Sequence, residues 1–118
     1  MSENTKEIYI SITGLKPKSF WATIRFWMLA IPSFKQAQSA KGNLFCEVKN
    51  IQRFQCTLTA WENRDIMLEF LRSGPHLKAM KAFHNIATGK TFGYSASAIP
   101  NWEEAFELLQ SKGRNYDH

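Results

Sequence analysis

A chain of 118 residues with 44% hydrophobic content can bury one core, so residues 1–118 are predicted to form a single domain. No apolar run approaches the roughly 20 residues of a membrane span, and the polar segment 1–6 lacks a secretory signal pattern. We therefore expect a cytoplasmic protein without a membrane partner. The net charge of +5 arises from Lys and Arg scattered among acids, a pattern typical of a solvated surface rather than of nucleic-acid binding.

The first predicted element is a strand over 7–14, where isoleucines alternate with other residues at the period of a half-buried strand. Ser19 is a suitable N-cap for a helix whose apolar side chains recur at helical spacing. Pro32 should kink or end this helix. Because Trp21 and Phe26 widen the apolar stripe, we expect the helix to be covered on more than one side, by core, ligand or partner subunit.

The segments 44–49 and 53–61 both alternate and predict a β-hairpin. Pairing them about a turn centred on Ile51 places apolar side chains of both strands on one face. That face would carry Leu44, Cys46, Val48, Phe54, Cys56 and Leu58.

A helical pattern follows Glu62, and Pro75 begins a second helix at an angle to the first. Residues 91–98 alternate as a fourth strand, and Asn101 is placed to cap a final helix. The polar tail 112–118 is expected to fray. The order β, α, β, β, α, β, α predicts an α+β fold, ferredoxin-like βαββαβ with an extra C-terminal helix and a four-stranded antiparallel sheet.

Such a sheet carries helices on one face and leaves the other face open. The open face would present aromatic and polar groups, and closed twofold symmetry is the commonest way to cover it. We therefore predict a homodimer through the open sheet face, a dimeric α+β barrel. The residues assigned to that face are Tyr9, Phe45, Gln55, Thr57, Thr59 and Trp61.

The segment TLTAWENRDIMLEFLRSGPHLKAMK, residues 57–81, contains a tryptophan followed by the pattern M-x-x-F-x-x-S-G-x-H-x-x-A-M. It resembles antibiotic-biosynthesis-monooxygenase-like proteins and small relatives of spheroidene monooxygenase, with a looser likeness over residues 7–100. The resemblance implies a dimeric α+β barrel with a pocket between sheet and helices. Because the family includes cofactor-free oxygenases and haem-containing enzymes, it implies either no cofactor or haem.

Two histidines are the candidate catalytic residues. His76 and His84 fall on or beside the apolar side of their predicted helix, where an imidazole could move a proton or hold a carbonyl-bearing substrate. His76 is also a possible haem ligand, and no other metal site is predicted. The alternative is structural, with His76 capping backbone groups and His84 bonded to a carbonyl at the edge of the core.

Four large apolar residues are the candidate ligand-pocket residues: Trp61, Trp27, Met28 and Ile24. A tryptophan at the end of a strand could wall a pocket, but it could equally anchor a dimer interface. The aromatic and methionine stripe of the first helix could line a cavity or simply form core. Cys46 and Cys56 are predicted to be buried thiols without a nearby base.

These observations favour a protein that binds a small apolar molecule in a pocket between sheet and helices, acting as a monooxygenase-like enzyme. The alternative is a non-catalytic ligand- or haem-binding or sensing dimer. The sequence does not separate the two, because it contains no dyad or triad that demands catalysis.

Overall fold

The computed structural model describes residues 7–72, 74, 77–79, 82 and 86–115. Its strands and helices follow one another in the predicted order, and residues 77–79 are also helical. The elements are β1 (Ile8–Pro17), α1 (Phe20–Ser39), β2 (Asn43–Ile51), β3 (Phe54–Trp61), α2 (Arg64–Leu71), β4 (Ala87–Ala96), α3 (Trp102–Lys112) and β5 (Arg114–Asn115).

The strands form one antiparallel sheet in the order β2-β3-β1-β4-β5. The α+β class is therefore confirmed, but the prediction of four strands is wrong. Arg114 and Asn115 pair with Thr91 and Lys90 and add a fifth strand at the edge. A two-residue strand has no alternation that a sequence pattern could reveal. Residues 116–118 of the predicted frayed tail lie outside the described residues.

Side-chain caps fix the starts of α1, α2 and α3. The Ser19 hydroxyl accepts a hydrogen bond from the Ala22 backbone N–H at 3.1 Å. Asn63 and Asn101 cap α2 and α3 in the same way. Pro32 lies inside α1, which continues to Ser39, so the proline does not end the helix.

One face of the sheet packs against α3. The pairing of Ile10 with Ala60 and of Ile12 with Leu58 gathers apolar residues of β1 and β3 at the centre of this face. α3 adds two buried side chains, and together they form the core cluster Ile10, Ile12, Cys56, Leu58, Ala60, Ala105 and Leu109.

The opposite face packs against α1 and α2. Tyr9 and Trp61 pair on neighbouring strands and contact a cluster that includes Phe70 of α2. Further along β1, Leu15 contacts Phe26 of α1. In the described part of the chain, helices therefore cover both faces of the sheet, and not one face as predicted.

The hairpin register differs from the prediction. β2 and β3 are joined by a two-residue turn at Gln52 and Arg53, both with positive φ, 52° and 72°. Positive φ at both central positions is the geometry of a type I′ turn, which matches the twist of paired strands. Cys46 consequently pairs with Thr59, three positions further along β3 than the predicted partner, Cys56. An odd displacement exchanges the two faces of one strand relative to the other.

The residues predicted to form an open sheet face are mostly under helices. Thr57, Thr59 and Trp61 face α1 and α2, as does Tyr9, whereas Phe45 packs beside the α3 cluster. The assignment of these residues to an exposed surface is therefore wrong, because α1 and α2 cover the face that carries Tyr9, Thr57, Thr59 and Trp61, while α3 covers the opposite face. The incorrect hairpin register misplaced Phe45 relative to the β3 residues. Dimerisation stays a prediction. Among the described residues, no helix combines the length and hydropathy needed to cross a membrane.

Candidate functional site

A cavity of about 680 Å³ lies between the sheet and the two helices α1 and α2. Apolar side chains provide most of its surface, and polar groups come mainly from the strands. This size and composition are typical of a site for a small organic molecule. The cavity occupies the position predicted for a pocket, between sheet and helices.

The sheet side of the cavity carries a row of hydroxyls. Ser11 and Thr13 belong to β1, and Thr59 and Thr91 come from its two neighbours, because residues at alternate positions share one face. The hydroxyls of Thr13 and Thr91 lie 3.3 Å apart. Thr91 also donates to the backbone carbonyl of Ile12 at 3.3 Å. Together with Thr57, these hydroxyls give the floor donors and acceptors for a ligand oxygen.

Aromatic rings form the walls opposite this floor. The rings of Phe26 and Trp27 are 5.3 Å apart and nearly perpendicular, at 88°. At the other end, the rings of Trp61 and Phe70 lie 4.9 Å apart with an angle of 31° between their planes. Phe34 adds a third ring from α1. Aromatic walls of this kind suit a flat, apolar ligand.

Trp61 lines the cavity and is completely buried. Its indole N–H donates to the Thr59 hydroxyl at 2.9 Å, so the polar edge of the ring is satisfied within the chain. A residue that is buried within one chain does not project toward a partner, so the alternative role of Trp61 as a dimer anchor is wrong. Trp27 also lines the cavity, as predicted.

Ile24 and Met28 do not line the cavity, and their predicted placement there is wrong. They are 42% and 70% exposed on the outer side of α1, the side that faces away from the sheet. Both lie within an exposed apolar stripe made up of Phe20, Trp21, Ile24, Met28 and Ile31. The sequence could not show this, because α1 is apolar on both its inner and outer sides.

His76 and His84 lie outside the described residues, so their catalytic role stays a prediction. The nearest described neighbours of His76 are the helical residues 77–79, of which Ala79 is 1% exposed. Ala79 packs with Leu15 and Phe26 in the cluster at one end of the helix-covered face.

Two thiols, Cys46 and Cys56, also belong to the lining. Burial raises the pKa of each thiol to about 11, which favours the protonated form over the reactive thiolate. Among the described residues, no cluster of three or more His, Cys, Asp or Glu is placed to hold a metal ion.

The described lining does not match the usual ligands of haem iron. It contains no histidine or tyrosine, and its two thiols keep their protons near neutral pH. Methionine sulfur can also ligate haem iron, and Met67 belongs to the described lining. Haem proteins, however, pair a methionine ligand with a histidine. Haem binding would therefore depend on His76 or His84.

A second depression adjoins the cavity, with a volume of about 490 Å³. We call it the basic depression; its residues are Lys16, Pro17, Thr23, Asn50, Arg53 and Gln55. The sequence analysis did not predict it. The alternating threonines of β3 were a usable signal for a polar cavity floor, but the prediction placed the helices on the opposite face of the sheet.

Solved structures with the same fold include oxygenases. SnoaB from Streptomyces nogalater, a cofactor-independent oxygenase, matches with a TM-score of 0.62 and 12% identity over 77% of this chain and 93% of SnoaB. A Nitrosomonas europaea protein with the provisional name antibiotic biosynthesis monooxygenase matches with a TM-score of 0.64 and 12% identity, covering 77% and 89% of the two chains.

The protein SO0527 from Shewanella oneidensis matches with a TM-score of 0.67 and 10% identity, over 79% of this chain and 93% of the other. The chain therefore has the α+β fold of the antibiotic-biosynthesis-monooxygenase-like proteins, as the resemblance in residues 57–81 predicted. No family model matches the chain, and no curated protein matches it in sequence.

Proposed function

We propose that the protein binds a flat, apolar small molecule in the cavity and oxidises it as a monooxygenase-like enzyme. The observation that carries this proposal is the cavity itself: aromatic walls from α1 and α2 face a floor of strand hydroxyls. The shared fold with a cofactor-independent oxygenase supports the choice of reaction class.

The arrangement favours a ligand with one oxygen substituent on an apolar ring system. The rings of Trp27 and Phe70 supply apolar contact area on two sides. A phenolic or carbonyl oxygen would meet the hydroxyls of Thr13 and Thr91, which can donate or accept. Such polar groups fix the orientation of a ligand whose affinity comes mostly from apolar burial.

In a reaction without a cofactor, the substrate itself must supply the electrons that reduce dioxygen. For a 1-naphthol-like substrate, one oxygen atom enters the ring as a carbonyl and the other leaves as water, so that 1-naphthol and O₂ give 1,4-naphthoquinone and H₂O. The protein would orient the ring and exclude bulk water. His76 and His84 are our candidates for moving the proton.

Binding of 1-naphthol by isothermal titration calorimetry tests the cavity, and oxygen uptake with formation of 1,4-naphthoquinone tests turnover. We expect Trp27→Ala to weaken binding about tenfold, because it removes a large apolar wall. The matched control is Met28→Ala, the next residue on α1, which is exposed and should leave affinity unchanged. Equal effects of the two substitutions would contradict binding in the cavity.

Binding without oxygen uptake would favour the alternative, a non-catalytic ligand-binding or sensing protein. A haem-binding variant of that alternative would require a Soret band after addition of haemin, and loss of the band in His76→Ala.

A homodimer is part of the same proposal. The α3-covered face carries half-buried Phe45, Ile51, Phe92 and Tyr94 around the central cluster, and we propose that these side chains contact a second copy. Native mass spectrometry should give twice the mass of 13.6 kDa at micromolar concentration. A strictly monomeric mass would contradict the dimer without affecting the cavity.

A further inference from the structure

We propose that the basic depression binds the carboxylate of the ligand, so that the substrate class is an amphipathic carboxylic acid with its apolar body in the cavity. The inference rests on the proposed function, because it requires a small molecule in the cavity. Its evidence is separate: the position, the charge and the hydrogen-bonding groups of the depression.

The depression and the cavity are continuous. Thr23, Asn50 and Gln55 belong to the lining of both. A single molecule could therefore extend from the aromatic walls into the depression without crossing a barrier of protein. The depression differs in composition, since none of its lining residues in the described ranges is aromatic.

The charge of the depression is positive. Of the described residues that line it, Lys16 and Arg53 are the charged ones, and none is acidic. Among the described residues neither forms an ion pair; the Lys16 ammonium instead lies 5.3 Å from the centre of the Phe54 ring. Neither cation is neutralised by a carboxylate in the described part of the chain, so both add positive charge to the depression, although the Lys16 ammonium rests over a ring on the α3 side of the sheet.

The remaining groups add hydrogen-bond donors beside these cations. Asn50 and Gln55 are directly paired across β2 and β3, so their side chains leave the sheet on the same face at neighbouring positions. Arg53 stands in the turn that joins the same two strands, with its backbone held at a φ of 72°. A guanidinium presents two parallel N–H donors that match a carboxylate, and amide N–H groups can complete the shell.

Paired ligands that differ in charge test the inference. We compare 1-naphthoate with 1-naphthamide, which has nearly the same shape but no charge, by isothermal titration calorimetry. The wild-type protein should bind the carboxylate about five- to tenfold more tightly, a size expected for two partly exposed cations. Raising the salt concentration should weaken binding of 1-naphthoate and leave 1-naphthamide unchanged.

Substitutions test whether the preference for the carboxylate arises in the basic depression. Lys16→Gln with Arg53→Gln should remove the preference for the carboxylate while 1-naphthamide affinity stays the same. The matched control is Lys112→Gln with Arg114→Gln, which removes the same charges from α3 and β5. This control pair should keep the preference. Circular dichroism of each variant verifies that the fold is retained.

The outcomes separate the two proposals. Equal affinity of wild-type protein for the two ligands would overturn the carboxylate subsite and leave the cavity intact. Loss of the preference in the control pair would also overturn it, because the effect would then come from net charge alone. If neither ligand binds, the proposed function and the subsite both fail.

Discussion

The indole N–H of Trp61 donates to the hydroxyl of Thr59, two residues earlier on the same strand, over 2.9 Å. The alternation of side chains along β3 puts both residues on the face covered by α1 and α2. Because Trp61 is fully buried, its N–H has no access to solvent, and Thr59 provides its hydrogen-bond acceptor. One cavity hydroxyl therefore also holds an indole ring of the wall in place.

Replacing Thr59 by valine keeps the shape of the side chain but removes this acceptor. The buried indole N–H then lacks a partner, and we expect the free energy of unfolding to fall by about 1–3 kcal/mol. Thr59→Ser retains the hydroxyl and should cost less. Urea unfolding of the two variants measures the difference. A valine variant as stable as the serine variant would show that the hydrogen bond contributes little.

The sequence predicted the helices and the order of elements well, because local signals determine them. Ser19 and Asn101 have the side chains that cap a helix, and the structure uses both as caps. The alternation over 7–14 likewise reflects the burial of β1 on one face. Signals of this kind depend only on neighbouring residues.

The hairpin register could not be predicted in the same way. The turn residues Gln52 and Arg53 adopt positive φ without the Asn-Gly pair that marks such turns. β3 is also covered on both faces, so the apolar Cys56 and the polar Thr59 are both buried and burial does not follow polarity. Alternation alone then fits two registers equally well.

The sequence likewise predicted some features of the candidate site and not others. The position of the cavity between sheet and helices was predicted, and so was the role of Trp27 in its wall. Met28 was assigned to the same wall although it points outward, because one apolar helix residue cannot be told from the next by its type. The basic depression depends on the turn geometry and was therefore not foreseen.

The hairpin turn should be a site where stability can be gained. Gln52 has a φ of 52°, which side chains other than Gly, Asn and Asp adopt at a cost. We expect Gln52→Asn to raise the free energy of unfolding by about 0.5 kcal/mol, since asparagine is favoured at the first central position of a type I′ turn. Thermal unfolding followed by circular dichroism measures this gain. Gln52→Val should have the opposite effect.

Gly42 should tolerate no side chain. Its φ is 86°, and a Cβ at this position would lie 2.5 Å from a methyl carbon of Ile66. Gly42→Ala therefore combines backbone strain with a clash, and we expect a loss of about 1–3 kcal/mol in the free energy of unfolding. Gly42→Ala should cost less in an Ile66→Ala background than in the wild type, because the clash is then absent; comparison with the Ile66→Ala single variant accounts for the packing that Ile66 itself provides. If Gly42→Ala costs the same in both backgrounds, the strain resides in the backbone alone.

The thiols of half-buried Cys46 and buried Cys56 should make stability fall at alkaline pH. Burial raises the pKa of Cys46 and Cys56 from 9.0 to about 11, so between these values the folded state binds more protons than the unfolded state. Their contribution to stability is therefore complete below about pH 9 and is lost as the pH rises toward about 11.

Urea midpoints measured across this range should decrease less steeply with pH in Cys46→Ala/Cys56→Ala than in the wild type. Burial, and to a smaller extent the Glu104 carboxylate, also raises the pKa of Tyr94, which contributes a slope of the same sign. Tyr94→Phe measures that contribution separately. If the double cysteine variant keeps the wild-type slope, the thiols ionise in the folded protein as readily as in the unfolded chain, and both should then react quickly with iodoacetamide at about pH 9.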